Sequence, residues 1–254
     1  METIRIPEKM KIMSGSVLKW IAVITMLIDH SAKAILYLGY LKPRIPLQRG
    51  TSEYMLYQFY KVLRGIGRTA FPIYCFLLVQ GFMYTRDRRK YAGRLFIFAL
   101  ISEIPFNLGL QGRLWYPAHQ NVYFTLFLGI IMLWLWEVIG EKIPDFRIAL
   151  VMQAAEAAAL MYLANYLNTD YRHKGLILIL VFYVLRFFQP LACAGGAVAM
   201  YWEWPYVLIA FPFLLLYNGK RGKQNKYFFY VFYPAHLILI YIGMQLMKYF
   251  LPAG

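Results

Sequence analysis

Apolar runs broken by short polar turns dominate this chain. They fall at about 16–38, 67–85, 93–111, 120–139, 147–167, 174–189, 191–203, 204–218 and 228–250. Most approach the ~20 residues that a helix needs to cross a hydrocarbon core. The run 191–203 (LACAGGAVAMYWE) is short and glycine-rich, which suits a half-span or a tightly packed helix. The stretch 53–64 (EYMLYQFYKVLR) is amphipathic and tyrosine-rich. It either lies in the membrane interface or forms one more short membrane helix. The pattern predicts an all-α, polytopic integral membrane protein of about nine or ten transmembrane helices. A single domain over 1–254 is expected, because no repeat, linker or soluble module interrupts it.

Composition agrees with a membrane protein. The 254 residues are 61% hydrophobic, 19% aromatic and only 15% charged, against about 25% charged in a soluble domain. The net charge of +15 reads as basic loops on a cytoplasmic face rather than as a nucleic-acid surface. Cys75 and Cys193 sit in apolar runs and read as buried small hydrophobes, with no disulfide framework and no metal site. The charged segment Met1–Lys11 and the lack of a small-residue cleavage site argue against a cleaved signal peptide, so the first span is expected to stay as an anchor.

The positive-inside rule puts the N-terminus in the cytoplasm. The inside loops then carry Arg86, Arg88, Arg89 and Lys90, then Lys142 and Arg147, then Lys220, Arg221, Lys223 and Lys226. The outside loops 111–119 and 168–173 carry fewer cations. The loop 39–66, with Lys42, Arg44, Arg49, Lys61 and Arg64, opposes this order. A membrane-lying helix there would soften the conflict, whereas an extra spanning helix would change the topology downstream.

Ionisable residues inside the apolar runs mark candidate chemistry, because charge at membrane depth is costly. Asp29 and His30 lie within the first run, and imidazole suits proton transfer near neutral pH. Lys19 precedes His30 by eleven residues, close to three helical turns, so the two share nearly one face roughly 16 Å apart. Glu103 and Asn107 are four apart in one run, with Pro105 between them to bend the helix. His119, Asn121 and Thr125 sit where HQNVYFTL enters the next run. Asp170 and Tyr171 lie in the turn TDYRHKG, and Tyr233 and His236 in FYPAHL. On this topology His30, His119, Asp170 and His236 are candidates to converge in the outer half of one cavity. Blander readings stand beside these. Asp29 and Lys33 are positioned for a simple i,i+4 ion pair, Lys19 for snorkelling to headgroups, and Glu103 for pairing with Arg68 or Arg94. His173, beside Arg172 and Lys174, reads as an exposed loop residue. No P-loop, dinucleotide fingerprint, HExxH or CxxC pair is present.

The strings ITMLIDH, GRTAFPIYCFLLVQGF, RLFIFALISEIPFNL, NVYFTL and YNGKRGKQNKYFFYVFYPAHL, in that order, resemble the TraX family of bacterial membrane proteins. The likeness covers about residues 14 to 245. That family takes its name from the enzyme that acetylates the N-terminus of conjugative pilin. It is grouped with a wider superfamily of transmembrane acyltransferases that includes the heparan-glucosaminide N-acetyltransferase. Many O-acylating members of that superfamily carry a basic residue, ten others, then a histidine in an early helix, a spacing that Lys19 and His30 match. Asp29 and His30 fall on the family's first-helix Asp-His pair, Arg68 in its GR-x-AFP string, Glu103 in its ISE-x-P string and His236 in its FYP-x-HL string. The turn TDYRHKG departs from the family form, which has glycine after the DY pair.

The resemblance implies a membrane-embedded acetyltransferase in the bacterial cytoplasmic (inner) membrane. It would move an acetyl group from cytoplasmic acetyl-CoA to an amine or hydroxyl acceptor on the outer side. The acceptor is a peptide N-terminus, an amino sugar or another small molecule; no metal is implied. Catalytic roles are expected of His30, Asp29, Glu103 and His236. Lys19, Arg68, Arg86, Arg88, Lys220 and Arg221 would bind the donor. Asn107, His119, Asn121, Asp170 and Tyr233 would line the acceptor and oxyanion region. Two rivals remain: a proton-coupled small-molecule transporter, and a non-catalytic assembly protein for a surface structure.

Overall fold

The structure is a computed structural model, and it describes residues 7–223 and 225–251. The first six residues, part of the segment read as lacking a signal peptide, lie outside these. Among the described residues the fold is helical, with two isolated β-bridges and no strand. The helices are α1 (Gly15–Ser31), α2 (Ser52–Gly67), α3 (Ala70–Tyr84), α4 (Arg88–Gln111), α5 (Val122–Lys142), α6 (Phe146–Tyr166), α7 (Arg172–Val184), α8 (Gln189–Ala199), α9 (Ala210–Leu215) and α10 (Lys226–Phe250). Polar side chains start several of them. Ser14, Thr51, Asn121, Asp145 and Asn225 each accept from a backbone N–H in the first turn of α1, α2, α5, α6 and α10.

Among the described residues six stretches are long and apolar enough to cross a membrane: Gly15–Arg44, Ser52–Tyr84, Arg88–Gln111, Val122–Lys142, Phe146–Tyr166 and Tyr227–Phe250. Nine or ten were expected. The difference lies in three short elements. Helix α7 has 13 residues, α8 has 11, and the last is the apolar helical segment Tyr206–Leu215. At about 1.5 Å per residue each falls well below the ~30 Å hydrocarbon core. The amphipathic stretch 53–64 lies in α2. It forms the first half of the 33-residue helical stretch Ser52–Tyr84. The chain is thus a multi-pass membrane protein by the length and composition of these helices.

The first run also changes character after His30. Beyond Ser31 the backbone widens into a π-helical segment, Ala32–Leu41. Such i→i+5 turns are rare and tend to occur at functional sites.

The chain divides into two compact units. The described residues of the first are 7–73, 101–116 and 202–251. Here α1 and the π-helical segment pack against α2 and α10. The N-terminus of α1 is closed by the basic loop that precedes α10. Gly15 and Ser16 donate their N–H groups to the carbonyls of Lys220 and Arg221 at 2.8 and 2.9 Å. The Ser16 hydroxyl donates to the Lys223 carbonyl at 2.6 Å. These bonds satisfy donors that a helix start leaves open.

The second unit comprises residues 74–100 and 117–201 among those described. Helices α5, α6, α7 and α8 pack on one another around fully buried Ile130, Met132, Leu133, Leu176, Leu178 and Ile179. Its turn between α6 and α7 is held by a bridge between Gln120 and Thr169.

Candidate functional site

In the first unit, α1 and α10 bring His30 and His236 together across 206 positions of sequence. His30 Nδ1 lies 2.8 Å from His236 Nε2. The rings are nearly parallel, with 8° between their planes. The second nitrogen of His236, Nδ1, lies 2.8 Å from the Phe232 carbonyl. A carbonyl oxygen only accepts, so His236 Nδ1 carries the proton. With both rings neutral, His236 therefore has its lone pair on Nε2, which accepts, and His30 Nδ1 donates. The lone pair of His30 therefore sits on Nε2. Its tautomer is fixed by the other bond of the ring. Phe232 stacks on His236 at 4.7 Å between centroids, and Tyr233 stands edge-on to His236 at 5.5 Å and to His30 at 6.2 Å. His236 is 3% exposed and Tyr233 4%.

Asp29 does not orient the imidazole by a direct hydrogen bond. Its Oδ2 lies 4.0 Å from His30 Nε2. Its ion-pair partner is Arg64 on α2, and not Lys33 one turn away. Asp29 thus places a carboxylate that is already paired with Arg64 4.0 Å from that nitrogen. Gly67 makes this approach possible, because a Cβ there would overlap the Cβ and carboxylate of Asp29. Arg68, one turn beyond Arg64, pairs through Nε with Glu203 at 3.3 Å.

The other predicted residues of this unit take distinct places. Asn107 Nδ2 donates to Glu103 Oε1 at 3.3 Å, the i,i+4 contact expected on α4. Arg68 is engaged with Glu203; Arg94, in the second unit, lies over the Tyr91 ring at 5.9 Å. Lys19 Nζ lies over the Phe229 ring at 5.3 Å. Lys19, Lys220 and Arg221, three of the six basic residues expected to meet a donor, lie toward the capped end of α1, whereas Arg68 pairs with Glu203 and Arg86 and Arg88 belong to the second unit.

The second unit holds the rest. His119 Nε2 pairs with Asp170 Oδ1 at 3.3 Å, and the Thr125 hydroxyl donates to the Asp170 carbonyl. Asn121 is fully buried; its Oδ1 caps α5 and its Nδ2 donates to the Ala99 carbonyl at 2.8 Å. Arg88 forms an ion pair with Glu137, which also accepts from the Tyr183 hydroxyl at 2.8 Å. Arg86 is exposed beside it in sequence. Asp87 caps α4 through the Lys90 N–H at 2.9 Å, a bond that holds its carboxyl below the usual range. His173, read as an exposed loop residue, is bonded to Asn165 Oδ1 at 2.7 Å. The turn explains the family's glycine after DY. Here that position is Arg172, with φ +46°, next to Tyr171 at φ +61°. Non-glycine residues are costly in that left-handed region.

Of the four residues expected to converge, His30 and His236 meet in the first unit, while His119 and Asp170 meet in the second. Sequence reasoning missed Arg64 and Glu203 as partners. One signal was present: the string RGIGR sets two arginines four apart with glycines between, a helix face built for charge and for close approach.

These features define a polytopic helical membrane protein with two linked imidazoles and an Arg–Asp pair in its apolar spans. The chain belongs to the TraX family: the TraX protein family matches residues 14–243. The resemblance read from the sequence strings is thereby confirmed. A relative is the "Probable fimbrial assembly protein FimC, serogroup H1" of Dichelobacter nodosus, 28% identical over 251 residues that cover 88% of this chain and 92% of the relative. No solved structure matches significantly. Among the described residues no group of three or more His, Cys, Asp or Glu side chains is placed to hold a metal ion.

Proposed function

We propose that the protein is an acetyltransferase of the bacterial cytoplasmic membrane, with its N-terminus in the cytoplasm. It moves the acetyl group of cytoplasmic acetyl-CoA to an amine or hydroxyl at the outer side. The observation that carries this reading is the fixed tautomer of His30, whose Nε2 lone pair faces the Asp29–Arg64 pair. Family membership supports it, since TraX proteins are associated with acetylation of pilin. A relative named for fimbrial assembly points to a subunit of a surface fibre as one acceptor class.

The chemistry follows from the site. His30 Nε2 takes the proton of the attacking amine or hydroxyl as the acceptor adds to the thioester carbonyl. Collapse of the adduct breaks the C–S bond, and the proton passes from His30 to the departing thiolate, so acetylated acceptor and CoA leave. His236 holds His30 in the productive tautomer and is a positioning residue. The basic pole of Lys19, Lys220 and Arg221 holds donor phosphates. Tyr233, beside both rings, is positioned to donate to the developing oxyanion.

The test is binding and slow hydrolysis of acetyl-CoA by purified protein, wild type beside His30→Ala. Wild type should bind and hydrolyse it; the variant should bind equally and lose about a hundredfold or more of the rate, the share a general base supplies. Equal hydrolysis by the variant removes the catalytic assignment. The hydrogen-bonded imidazoles also suit proton transfer without acyl chemistry, which is the transporter reading. Proton-coupled flux in proteoliposomes lacking acyl donor would favour it.

A further inference from the structure

One turn beyond His30 a row of polar side chains takes no part in the scheme above. Lys33 Nζ lies over the Tyr37 ring at 4.8 Å. Tyr37, on the π-helical segment, stacks on Tyr60 of α2 at 5.0 Å with 17° between planes. Tyr60 stacks on Tyr57 at 5.9 Å, and Lys61 Nζ lies over Tyr57 at 5.4 Å. Three stacked phenols are thus bracketed by two ammonium groups, all within the first unit. Among the described residues none of these five side chains makes a hydrogen bond or an ion pair. The rings and Lys33 are half-buried. Their faces are engaged with one another and with the lysines, so what they offer a ligand is a line of N–H and O–H donors.

That donor set has one sign. Lys33 lies on the π-helical segment, Lys42 and Arg44 in the turn that follows it and Lys61 on α2, and the carboxylates on α1 and α2 are Asp29, held by Arg64, and Glu53. Positively charged donors with phenol hydroxyls suit an oxyanion: a phosphate or a carboxylate. The row also leads to the reacting nitrogen. Lys33 is three residues past His30, about 5 Å of helix rise, and Tyr60 is one turn before Arg64.

We propose that the Lys33–Tyr37–Tyr60–Tyr57–Lys61 row is an anion-recognition seam that holds a phosphate- or carboxylate-bearing group beside His30. Resting on the transferase reading, the seam anchors the acceptor by its negative group and presents its amine or hydroxyl to Nε2. Two sources share this chemistry, an anionic acceptor and an anionic lipid headgroup, and lipid composition separates them.

The test is thermal unfolding of the full protein in nanodiscs, titrated with potassium phosphate against potassium chloride at equal ionic strength. In phosphatidylcholine, wild type should show a saturable rise in midpoint with phosphate. Lys33→Gln/Lys61→Gln should weaken the apparent affinity about tenfold or more, as expected from losing two charge-assisted bonds. Tyr60→Phe should weaken it less, and Lys90→Gln, an exposed lysine on α4, should not change it. If an equal admixture of phosphatidylglycerol abolishes the effect in wild type, the seam stands and a lipid headgroup occupies it. If the effect persists there, the seam stands and serves a soluble anion. No rise in wild type, or an equal rise in Lys33→Gln/Lys61→Gln, overturns the proposal. Because the readout is binding, a wild type that binds phosphate but leaves acetyl-CoA intact would retain the seam and remove the transferase.

Discussion

His236 is where the geometry makes its sharpest statement about a single residue. Two bonds of one imidazole settle the tautomer of another, because the Phe232 carbonyl accepts and so leaves His236 Nε2 to accept in turn. The prediction separates positioning from mere packing. His236→Leu keeps bulk but removes the acceptor, so His30 can carry its proton on the wrong nitrogen. The kcat for acetyl-CoA hydrolysis should fall about ten- to a hundredfold, the range seen when an orienting partner of a histidine is lost, with KM for acetyl-CoA unchanged. His236→Gln retains an acceptor oxygen and should recover most of that loss. Equal kcat in both variants would show that the bond does not set the tautomer. Much of this site was legible in the sequence: Asp29, His30 and His236 stand out as ionisable groups in apolar runs. Arg64 was not, because local spacing favours Lys33 as the partner of Asp29, and only the packing of α1 on α2 brings Arg64 closer. A pair 35 positions apart leaves no periodic trace.

At the scale of elements the seam between α1 and α2 depends on one missing side chain. A Cβ at Gly67 would strike the Cβ and carboxylate of Asp29, so the helices would have to part or Asp29 would have to leave Arg64. Gly67→Ala should destabilise the protein by about 1–3 kcal/mol, the usual result of overpacking, and should lower hydrolysis as Asp29 shifts. Gly93→Ala, on α4 with open space around the added Cβ, should instead be neutral or stabilising by up to about 1 kcal/mol. Thermal unfolding of the two variants beside wild type makes the comparison, and equal behaviour would show that the close approach is unimportant. Hydropathy located every one of the long helices, since an apolar run reports burial in lipid or protein alike. For the same reason it could not separate α7, α8 and Tyr206–Leu215 from true spans: their runs are as apolar, and only the helix lengths distinguish them. The π-helical turn after His30 changes hydrogen bonding and not hydrophobicity, so it left no mark in the pattern either.

For the whole molecule, one local contact constrains the path through the membrane. Three long helical stretches, Gly15–Arg44, Ser52–Tyr84 and Arg88–Gln111, separate the start of α1 from the turn at Arg113. Three crossings put those two points on opposite faces. The loop 220–223 bonds to the first residues of α1, so it shares the face of that helix start. Between Arg113 and this loop lie two long helices, α5 and α6, and three short ones. If each long stretch crosses once, two crossings return the chain to the face of Arg113, and the segment between Tyr166 and Lys220 must then change faces once more as a whole. In the orientation proposed above, with the N-terminus in the cytoplasm, the basic loop shares the cytoplasmic face with the start of α1. Single-cysteine labelling tests this directly, since Cys75 and Cys193 are both buried and should react slowly. Lys223→Cys and Arg113→Cys place a thiol at exposed positions. A membrane-impermeant maleimide should label the first in inside-out vesicles alone and the second in right-side-out vesicles alone. Labelling of both from the same face would show that the long stretches do not each cross once.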